Sequence, residues 1–494
     1  MNVEWLTHLP APARRGLYFA LQGLVGSRIR SIWKEFLSWE RLSPVDLDLR
    51  VEKRLGRLLD GAVVRSPYYR HLGITRRPGE SSKEFLARFP FLTREILRER
   101  FVDIVAEPLR AEVTSPDSVS SRGYRWIIVK TGGTTGNPTT VVHDQTQRDW
   151  GRATRLFSAR QCGHPLGTRY FKLWGSEQDL LQTQMKFHLR VQRNLLGDLP
   201  LNAFRAKDPD LRRHHAILLA HPEIDSMMAY VDAAVSLALF IEAKDLPRPR
   251  LRTLMACAGT VTPEWREILE RVFGAEVFNK YGSRECCDIA CECPFHRGLH
   301  VNSPDVFLEV VDNLGAACHP GQAGRILVTM LNNAGFPMIR YQIGDIGCWE
   351  EPGICPCGCA WPRLRTVEGR ADEMLLTEDG TLLSSVFVRH FVGVRLNRQI
   401  IREWQLEQTG RHEFIFRFVS TQKEGLEENL ARIRESFLLT LGRSASIEMR
   451  RVPEIPPSAS GKQRWIINRL SSPIADGSRG DYRRKPGTHA GDRG

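Results

Sequence analysis

The residues in this sequence that most clearly could do chemistry are its cysteines, which are unevenly placed. Nine of the 11 cysteines fall within residues 286–359. In this stretch Cys293 and His296 form a C-x-x-H pair, and Cys355 and Cys357 form a C-x-C pair, with proline and glycine close to both. Tetrahedral zinc takes four thiolate or imidazole ligands from two such short turns. The spacing therefore predicts a zinc site made by Cys293, His296, Cys355 and Cys357.

Four protein ligands leave no open coordination position, so the predicted zinc ion is structural. About sixty residues separate the two pairs, which indicates a clamp within a larger domain and not a self-folding zinc finger. Buried reduced thiols without metal are the alternative. Cys287, Cys291, Cys359 and His300 remain alternative ligands. Disulfides are disfavoured, because no export signal is recognised and a cytoplasmic location is expected.

A second chemical signal is the glycine- and threonine-rich string KTGGTTGNP at 130–138, between short apolar strands predicted at 126–129 and 139–142. Glycines let backbone N–H groups point into one concavity, and threonine hydroxyls add further donors. A polyphosphate needs such a lining. The string lacks the Gly-Lys-Ser/Thr of the usual P-loop, so by itself it predicts either a phosphate-binding loop or an ordinary turn.

Composition narrows the class of protein. At 494 residues, with 42% hydrophobic and 26% charged residues, the chain is expected to fold into about two to four domains. No apolar run reaches the ~18 residues of a membrane-spanning helix, and residues 17–26 indicate a core or interfacial helix.

The net charge of +13 favours anionic partners. Because no nucleic-acid reader motif accompanies it, we expect no nucleic-acid binding.

The order of predicted elements indicates an α/β protein. Residues 1–110 show helical periodicity, and short strands and helices follow from about 120. We predict a large multi-sheet N-terminal domain at 1–369, whose zinc-knuckle region is 286–360, and a small mobile α+β domain at 370–470. The basic tail at 471–494 has almost no apolar residue, so we expect it to be disordered.

Three local patterns predict elements near the motifs discussed below. Thr262 and Pro263 begin a helix with one apolar face, and Gly274 ends it. A strand is predicted directly afterwards, at 276–278. A further strand is predicted at 338–341, from the string MIRY.

Five strings in chain order resemble the motifs of adenylate-forming enzymes, the superfamily of acyl-CoA synthetases, peptide-synthetase adenylation domains and luciferases. They are KTGGTTGNP at 130–138, YGSRE at 281–285, RYQIGD at 340–345, GRADE at 369–373 and SASGK at 458–462. One such string is a weak signal. Five in order, over about 330 residues, are a strong one.

Further strings resemble one branch of that superfamily, the phenylacetate–CoA ligase-like enzymes and their capsule-biosynthesis relatives. These are RSPYYR at 65–70, FPFLT at 89–93, and the C-x-x-H and Cys-Pro-Cys-Gly pairs already described. The resemblance spans roughly residues 50–470 and implies the α/β adenylation fold with its small mobile C-terminal domain. One departure is Gly259-Thr260, where relatives often have Gly-Glu near the adenine.

The resemblance implies which residues bind the nucleotide. The phosphates are assigned to the loop residues Thr131, Gly132, Gly133, Thr134, Thr135 and Gly136. Tyr281 and Gly282 are expected beside the adenine or acyl group. Asp345 is expected to accept hydrogen bonds from the ribose hydroxyls, and Arg370 to contact ribose or phosphate.

The resemblance also implies catalytic residues. Lys462 is expected to reach the α-phosphate and the carboxylate, because a point charge on a flexible stem suits a group that swings in and out. Glu285 is expected to hold Mg²⁺, which prefers carboxylate and phosphate oxygens. Thr135, in the glycine- and threonine-rich string, is the third implied catalytic residue. Asp372 is the implied pivot about which the small domain rotates.

The implied activity is that of an AMP-forming acid–thiol ligase, which joins a small carboxylic acid to ATP and then to coenzyme A. Its implied cofactors are ATP, Mg²⁺, coenzyme A and structural Zn²⁺, and a homodimer is common among relatives. One alternative is an adenylating enzyme that delivers the acyl group to an amine, a sugar or a carrier protein, in polysaccharide or secondary-metabolite biosynthesis. A second alternative is a non-catalytic, zinc-stabilised binding protein of the same fold.

Overall fold

A computed structural model of the chain describes residues 4–120, 125–130, 139–174, 187–203, 208–370, 375–378, 382–383, 400–401, 403–420, 424–456 and 465–470. Helices fill most of the first 110 residues, and helices and strands follow in mixed order, which confirms the predicted α/β class. In these described ranges, no helix is both long enough and apolar enough to cross a bilayer.

Local sequence signals explain where several helices begin. Ser81 and Glu84 form a reciprocal capping box, and the Thr93 side chain accepts a hydrogen bond from the Ile96 N–H. After a 3-10 helix at Glu4–His8, the helices are α1 (Ala11–Leu24), α2 (Ile29–Trp39), α3 (Pro44–Arg65), α4 (Pro67–His71), α5 (Ser82–Ala87), α6 (Arg94–Glu99), α7 (Phe101–Ile104), α8 (Glu107–Arg110), α9 (Gln145–Gln161), α10 (Phe187–Leu196), α11 (Asp208–Ala220), α12 (Val231–Ala243), α13 (Pro263–Phe273) and α14 (Leu426–Leu441).

The strands are short, and most belong to one large sheet. They are β1 (Trp126–Lys130), β2 (Thr140–Asp144), β3 (Tyr170–Trp174), β4 (Asp198–Asn202), β5 (Ser226–Tyr230), β6 (Thr253–Cys257), β7 (Glu276–Ser283), β8 (Cys287–Glu292), β9 (Leu299–Val301), β10 (Val306–Val311), β11 (Ala323–Met330), β12 (Tyr341–Trp349), β13 (Arg363–Arg370), β14 (Leu375–Leu376), β15 (Leu382–Leu383), β16 (Glu403–Gly410), β17 (Glu413–Val419), β18 (Ser446–Arg451) and β19 (Ile466–Asn468).

The large sheet has 11 strands in the order β10-β11-β12-β13-β9-β8-β7-β6-β5-β3-β4. From β4 to β7 the neighbouring strands are parallel, and α12 and α13 connect β5, β6 and β7. From β7 to β10 they are antiparallel. β7 is therefore the strand at which the sheet changes from one pairing to the other.

α13 and β7 test two of the local predictions. The Thr262 side chain caps α13, and Gly274 ends it in the left-handed conformation, with φ of 64°, as predicted. The strand predicted at 276–278 is confirmed but longer, because β7 continues through the first residues of YGSRE. The motif therefore begins within the sheet and not in a loop.

The strand predicted at 338–341 is wrong in extent. Residues 338–340 lie outside the ladder, and β12 begins at Tyr341. Arg340 has a positive φ of 51°, which ends any extended run. Its guanidinium contacts Glu309 on β10 at 2.9 and 3.1 Å and donates to the carbonyl oxygens of Ala87 and Phe89. Arg340 therefore connects the helical N-terminal part of the chain to the antiparallel half of the sheet.

A buried polar layer joins β2 and α9 to the loops beside β10 and β11. Asp305 is fully buried, and its carboxylate accepts hydrogen bonds from Asn332 at 2.8 Å and Gln147 at 3.2 Å. Asn333 donates to the Val142 carbonyl at 2.8 Å. Burial raises the pKa of Asp305 to about 6. These hydrogen bonds hold the junction between β2 and α9 in place.

The last described part of the chain forms a separate four-stranded sheet in the order β18-β17-β16-β19, with α14 packed on it. Phe416 and Phe437 join the two, with ring centroids 5.5 Å apart. This small unit of sheet and helix has the α+β form predicted for the C-terminal domain. The boundary at 370 stays a prediction, and the tail at 471–494 lies outside the described residues.

Asp305 gives a pH-dependent prediction. Its pKa rises from 3.8 to about 6 on folding, so the folded state binds more protons than the unfolded state between these pH values. We expect Asp305 to reduce the free energy of unfolding by up to about 3 kcal/mol as pH rises from about 4 to about 6. Denaturant titrations across this range should show that Asp305→Asn removes that loss.

The matched control is Asp48→Asn, which alters an exposed ion pair with Lys83. We expect this variant to keep the wild-type pH slope. An Asp305→Asn protein whose stability follows the wild-type slope would show that the buried carboxyl is not the titrating group.

Candidate functional site

The glycine- and threonine-rich string is anchored by a hairpin. β1 and β2 pair antiparallel, and Lys130 lies opposite Thr140, so the two ends of the string are held side by side. The residues between them lie outside the described part of the chain. These include all the predicted phosphate ligands, Thr131, Gly132, Gly133, Thr134, Thr135 and Gly136.

The YGSRE motif lies against the base of this hairpin. Arg284, just after β7, donates from Nη1 to the Lys130 carbonyl oxygen at 3.2 Å. The ring of His143 on β2 contacts the Glu285 carbonyl oxygen through Nε2 at 2.7 Å. Both strands of the hairpin are thus hydrogen bonded to the segment that carries the predicted Mg²⁺ ligand.

The Glu285 side chain is buried beside the start of β12. The Tyr341 hydroxyl donates to Glu285 Oε1 at 3.4 Å, a long hydrogen bond. Burial alone lowers the pKa of Arg94, but Tyr341, Glu285 and Asp345 around it outweigh this effect and raise it. A carboxylate that is buried and only weakly hydrogen bonded to Tyr341 is a suitable ligand for a hard cation.

Asp345 lies on β12 beside the motif tyrosine of β7. The Tyr281 hydroxyl donates to Asp345 Oδ2 at 2.7 Å, and burial raises the pKa of Tyr281 well above its usual value, so the hydroxyl remains a donor. Gly282 also lies in β7, where a Cβ would approach the Cys287 carbonyl oxygen to 2.4 Å. No side chain larger than hydrogen fits there, which explains the glycine of this motif.

Strand β13 brings the start of the GRADE string, the predicted hinge motif, to the site. The backbone of Arg370 pairs with Asp345, which brings the GRADE string next to RYQIGD. Thr260, at the departure noted in the sequence, donates from Oγ1 to the Val367 carbonyl oxygen at 3.0 Å. The Arg370 side chain, Asp372 and Lys462 lie outside the described residues.

The structure therefore gathers the described parts of four of the five predicted motifs around Glu285 and Asp345. Sequence reasoning missed three residues that line or support this group: Arg94, His143 and Tyr341. Arg94 directly follows the FPFLT string, and Tyr341 lies within RYQIGD, so both are adjacent to recognised motifs. His143 carries no sequence signal of its own.

A second site gathers three cysteines and one histidine. The ligand atoms of Cys293, His300, Cys355 and Cys357 all lie within 4.8 Å of one another. The Sγ atoms of Cys293 and Cys355 are 3.8 Å apart, and Cys357 Sγ is 3.6 Å from His300 Nε2. Ligands at zinc bond lengths of about 2.3 Å for sulfur and 2.0–2.1 Å for nitrogen form tetrahedral edges of about 3.8 Å and 3.6 Å. The separations match a metal site and are too long for disulfides.

The fourth member of this group differs from the residue predicted from the sequence. The C-x-x-H spacing predicts His296, but its ring contacts Glu292 at 3.1 Å and Glu276 at 3.1 Å, and these carboxylates raise its pKa. His300 occupies the position beside the thiols instead. His296 has a positive backbone φ of 49°, and its ring lies away from Cys293.

Strand pairing explains the choice of His300. It lies on β9, opposite Cys291 of β8 and Arg363 of β13. Burial lowers the pKa of His300 to about 4, so the imidazole is neutral and able to bind a metal. Burial raises the pKa of Cys293 to about 12, so a cation is needed before the thiolate form is favoured.

The Tyr281 contact gives a prediction about stability. Tyr281→Phe removes one donor from the Asp345 carboxylate, so we expect the free energy of unfolding to fall by about 1–3 kcal/mol. Urea unfolding of both proteins measures this difference. Tyr68→Phe is the control, because no hydrogen bond of its hydroxyl occurs among the described residues, and it should change stability by less. Equal effects of the two substitutions would contradict the assigned contact.

Comparisons with known proteins concern the family resemblance and the fold. Residues 375–469 match the family model described as the CapK C-terminal domain. Phenylacetate-coenzyme A ligase of Thermus thermophilus is 25% identical over 336 residues, which are 66% of this chain and 70% of that protein.

Solved structures of 2-hydroxyisobutyryl-CoA ligase share the fold. In its postadenylation state that enzyme matches with a TM-score of 0.62 and 19% identity, over 87% of this chain and 91% of that chain. An open conformation of the same enzyme, in complex with an acyl-adenylate and CoA, matches with a TM-score of 0.54 and 19% identity, over 87% of this chain and 93% of that chain. The comparisons confirm the resemblance predicted from the sequence: this chain is similar to phenylacetate-coenzyme A ligase, its residues 375–469 match the CapK C-terminal domain, and its fold is shared by 2-hydroxyisobutyryl-CoA ligase, an adenylate-forming enzyme.

Proposed function

We propose that this protein activates a carboxylic acid with ATP and transfers the acyl group to the thiol of coenzyme A. The observation that carries the proposal is the convergence of separate motifs on one place. Arg284 connects β7 to the base of the glycine–threonine loop, and Tyr281 connects the same strand to Asp345. A nucleotide needs its phosphates and its ribose recognised at once, and the approach of the loop's base and of Asp345 to the same strand supports this pairing of roles.

In the first step, a carboxylate oxygen attacks the α-phosphorus of ATP, the bond to the bridging oxygen breaks, and pyrophosphate leaves. Negative charge grows on the phosphate oxygens, so the protein contributes by positioning and by electrostatic stabilisation. The loop threonines and glycines are proposed to hold the β- and γ-phosphates, with Lys462 at the α-phosphate. Mg²⁺ held by Glu285 would offset phosphate charge.

In the second step, the thiol sulfur attacks the acyl carbon of the adenylate, the thiol proton is released, and AMP leaves. We propose that the unit at 370–470 turns about Asp372 between the two steps, which withdraws Lys462 once pyrophosphate has formed. Pairing of Arg370 with Asp345 holds the strand that leads to this pivot. The hinge therefore begins directly beside the proposed ribose ligand.

The adenylation step is tested by pyrophosphate exchange into ATP with a panel of aromatic, aliphatic and sugar-linked acids. We expect at least one acid to support exchange, and Lys462→Ala and Glu285→Gln to lower the rate by about 10²-fold or more, because each removes charge stabilisation of the transition state. Lys53→Ala changes an exposed lysine of α3 and should leave the rate unchanged.

Two outcomes would contradict parts of the proposal separately. Nucleotide binding without acid-dependent exchange would overturn adenylation and favour a non-catalytic binding protein. Exchange without consumption of free coenzyme A would leave adenylation standing but overturn the thiol as acceptor, in favour of an amine, a sugar or a carrier protein. Chromatographic detection of the acyl-CoA thioester distinguishes the two.

We also propose that Cys293, His300, Cys355 and Cys357 hold a structural zinc ion. Support comes from the gathering of four ligand atoms within 4.8 Å of one another, two pairs of which lie at tetrahedral separations, and from a neutral, buried imidazole. The turn before β13 is held by hydrogen bonds from Gly358 to Cys355 and from Cys355 to Cys359, at 2.8 and 3.0 Å. Bound zinc would tie this turn to β9 and stabilise the strand that leads to the hinge.

Metal analysis of purified variants tests the ligand set. We expect one zinc per chain in the wild type and in His296→Ala, and loss of most of that zinc in His300→Ala and Cys355→Ser, because three ligands hold zinc far more weakly than four. Full zinc occupancy in His300→Ala would contradict this set of four ligands. Wild-type protein free of zinc after reconstitution would contradict the metal itself.

A further inference from the structure

Helix α1 is oriented with its polar residues inward. Its buried side chains are Arg14, Tyr18 and Gln22. Gln22 accepts a hydrogen bond from Arg152 of α9 at 2.7 Å, and Arg14 is only 5% exposed. An amphipathic helix at the surface of a globular protein normally buries its apolar stripe and exposes its charges. α1 departs from this pattern, because Arg14 and Gln22 are buried while three of its leucines are exposed.

The apolar residues of α1 consequently face outward. Leu17, Leu21 and Leu24 recur at spacings of four and three, which places them on one face, and all are exposed. Leu24 is 83% exposed, and Val25, next to it at the end of the helix, is 54% exposed. This outward stripe, residues 17–25, is the region whose composition indicates a core or interfacial helix.

Neighbouring elements add to this apolar surface. Trp5, on the 3-10 helix before α1, is 57% exposed. Phe187 and Leu189, at the start of α10, are also exposed, and α10 packs against both α1 and the 3-10 helix. In contrast α2, which follows α1 directly, buries Ile29, Ile32, Phe36 and Trp39. α2 therefore does not share the outward stripe of α1.

The charges around the stripe have one sign. Residues 5–34 contain no aspartate or glutamate and five arginines and lysines. Arg14 is buried, and the other four, Arg15, Arg28, Arg30 and Lys34, are exposed. The next acidic residues along the chain are neutralised by other partners, Glu35 by Arg54 and Glu40 by Arg160. Residues 5–34 thus combine exposed apolar side chains with exposed positive charge.

We propose that the face formed by α1 and its flanking turns binds the surface of an anionic lipid bilayer. Leucine and valine side chains would enter the headgroup and acyl-chain boundary, a tryptophan suits the same depth, and the four cations would attract anionic headgroups. A protein partner of ordinary amino-acid composition would not require positive charge alone beside the exposed leucine and valine side chains. α1 has 14 residues, too few to span a bilayer, so the helix lies in the plane of the interface. The proposal does not depend on the proposed ligase activity.

Sedimentation of the full-length protein with vesicles tests the proposal. Vesicles of phosphatidylcholine with phosphatidylglycerol are compared with vesicles of phosphatidylcholine alone, at low and high salt. We expect the wild type to bind the anionic vesicles, and Leu21→Glu/Leu24→Glu to lower its partition coefficient by about tenfold or more. Arg28→Glu/Arg30→Glu should lower binding to anionic vesicles and reduce its salt dependence.

Leu314→Glu/Leu439→Glu is the matched control, because it changes two leucines that are 94% and 66% exposed on other elements. It should bind vesicles as the wild type does. The proposal is overturned if the wild type does not bind anionic vesicles, or if the α1 variant binds as well as the control. A dimer in lipid-free solution that dissociates in the α1 variant would overturn it too, because a second copy would then cover this face.

Discussion

The candidate active site depends on the two-sided pairing of β7. Residues 276–279 of this strand pair in parallel with β6 on one edge, and residues 280–283 pair antiparallel with β8 on the other, so each half of the strand is held by a different half of the sheet. Its end carries Tyr281 and Gly282, and Glu285 follows directly. A strand held in this way cannot slide or rotate without breaking both halves of the sheet. The positions of Asp345 and of the β1–β2 hairpin are defined by their hydrogen bonds to this segment.

The helical start of the chain contributes to the site only through long-range contacts. Arg340 holds Glu309 and the carbonyl groups of residues 87 and 89, and the next residue, Tyr341, reaches Glu285. Arg94 enters the same group from α6 and donates to the Ile343 carbonyl oxygen at 2.7 Å. Elements that are more than 200 residues apart in the chain thus meet around one buried carboxylate. The chemistry proposed at β7 therefore requires that the N-terminal helices pack correctly.

What can be predicted from the sequence depends on whether the deciding interaction is local. The prediction of helix α13 is correct because its cap, Thr262, and its terminator, Gly274, directly flank the helix. The strand at 338–341 is placed wrongly because Arg340 is fixed by distant partners that no local pattern reveals. Spacing alone favours His296 as a zinc ligand, but two carboxylates hold its ring, while pairing of β9 with β8 carries His300 to the thiols. The order of the motifs along the chain predicts the site and Arg94 adjoins one of these strings, whereas His143 emerges only from the tertiary structure.

The hairpin beneath the glycine–threonine string has a consequence for protein engineering. Because Lys130 and Thr140 are paired across β1 and β2, the ends of the intervening segment are fixed by the sheet and not by the segment's own sequence. The hairpin is thus a natural graft point: loops of altered length or composition could be exchanged there with little disturbance to the scaffold. If the segment binds phosphates as proposed, its contribution to nucleotide preference and turnover would be variable as one exchangeable unit, with β7 and β12 left unchanged.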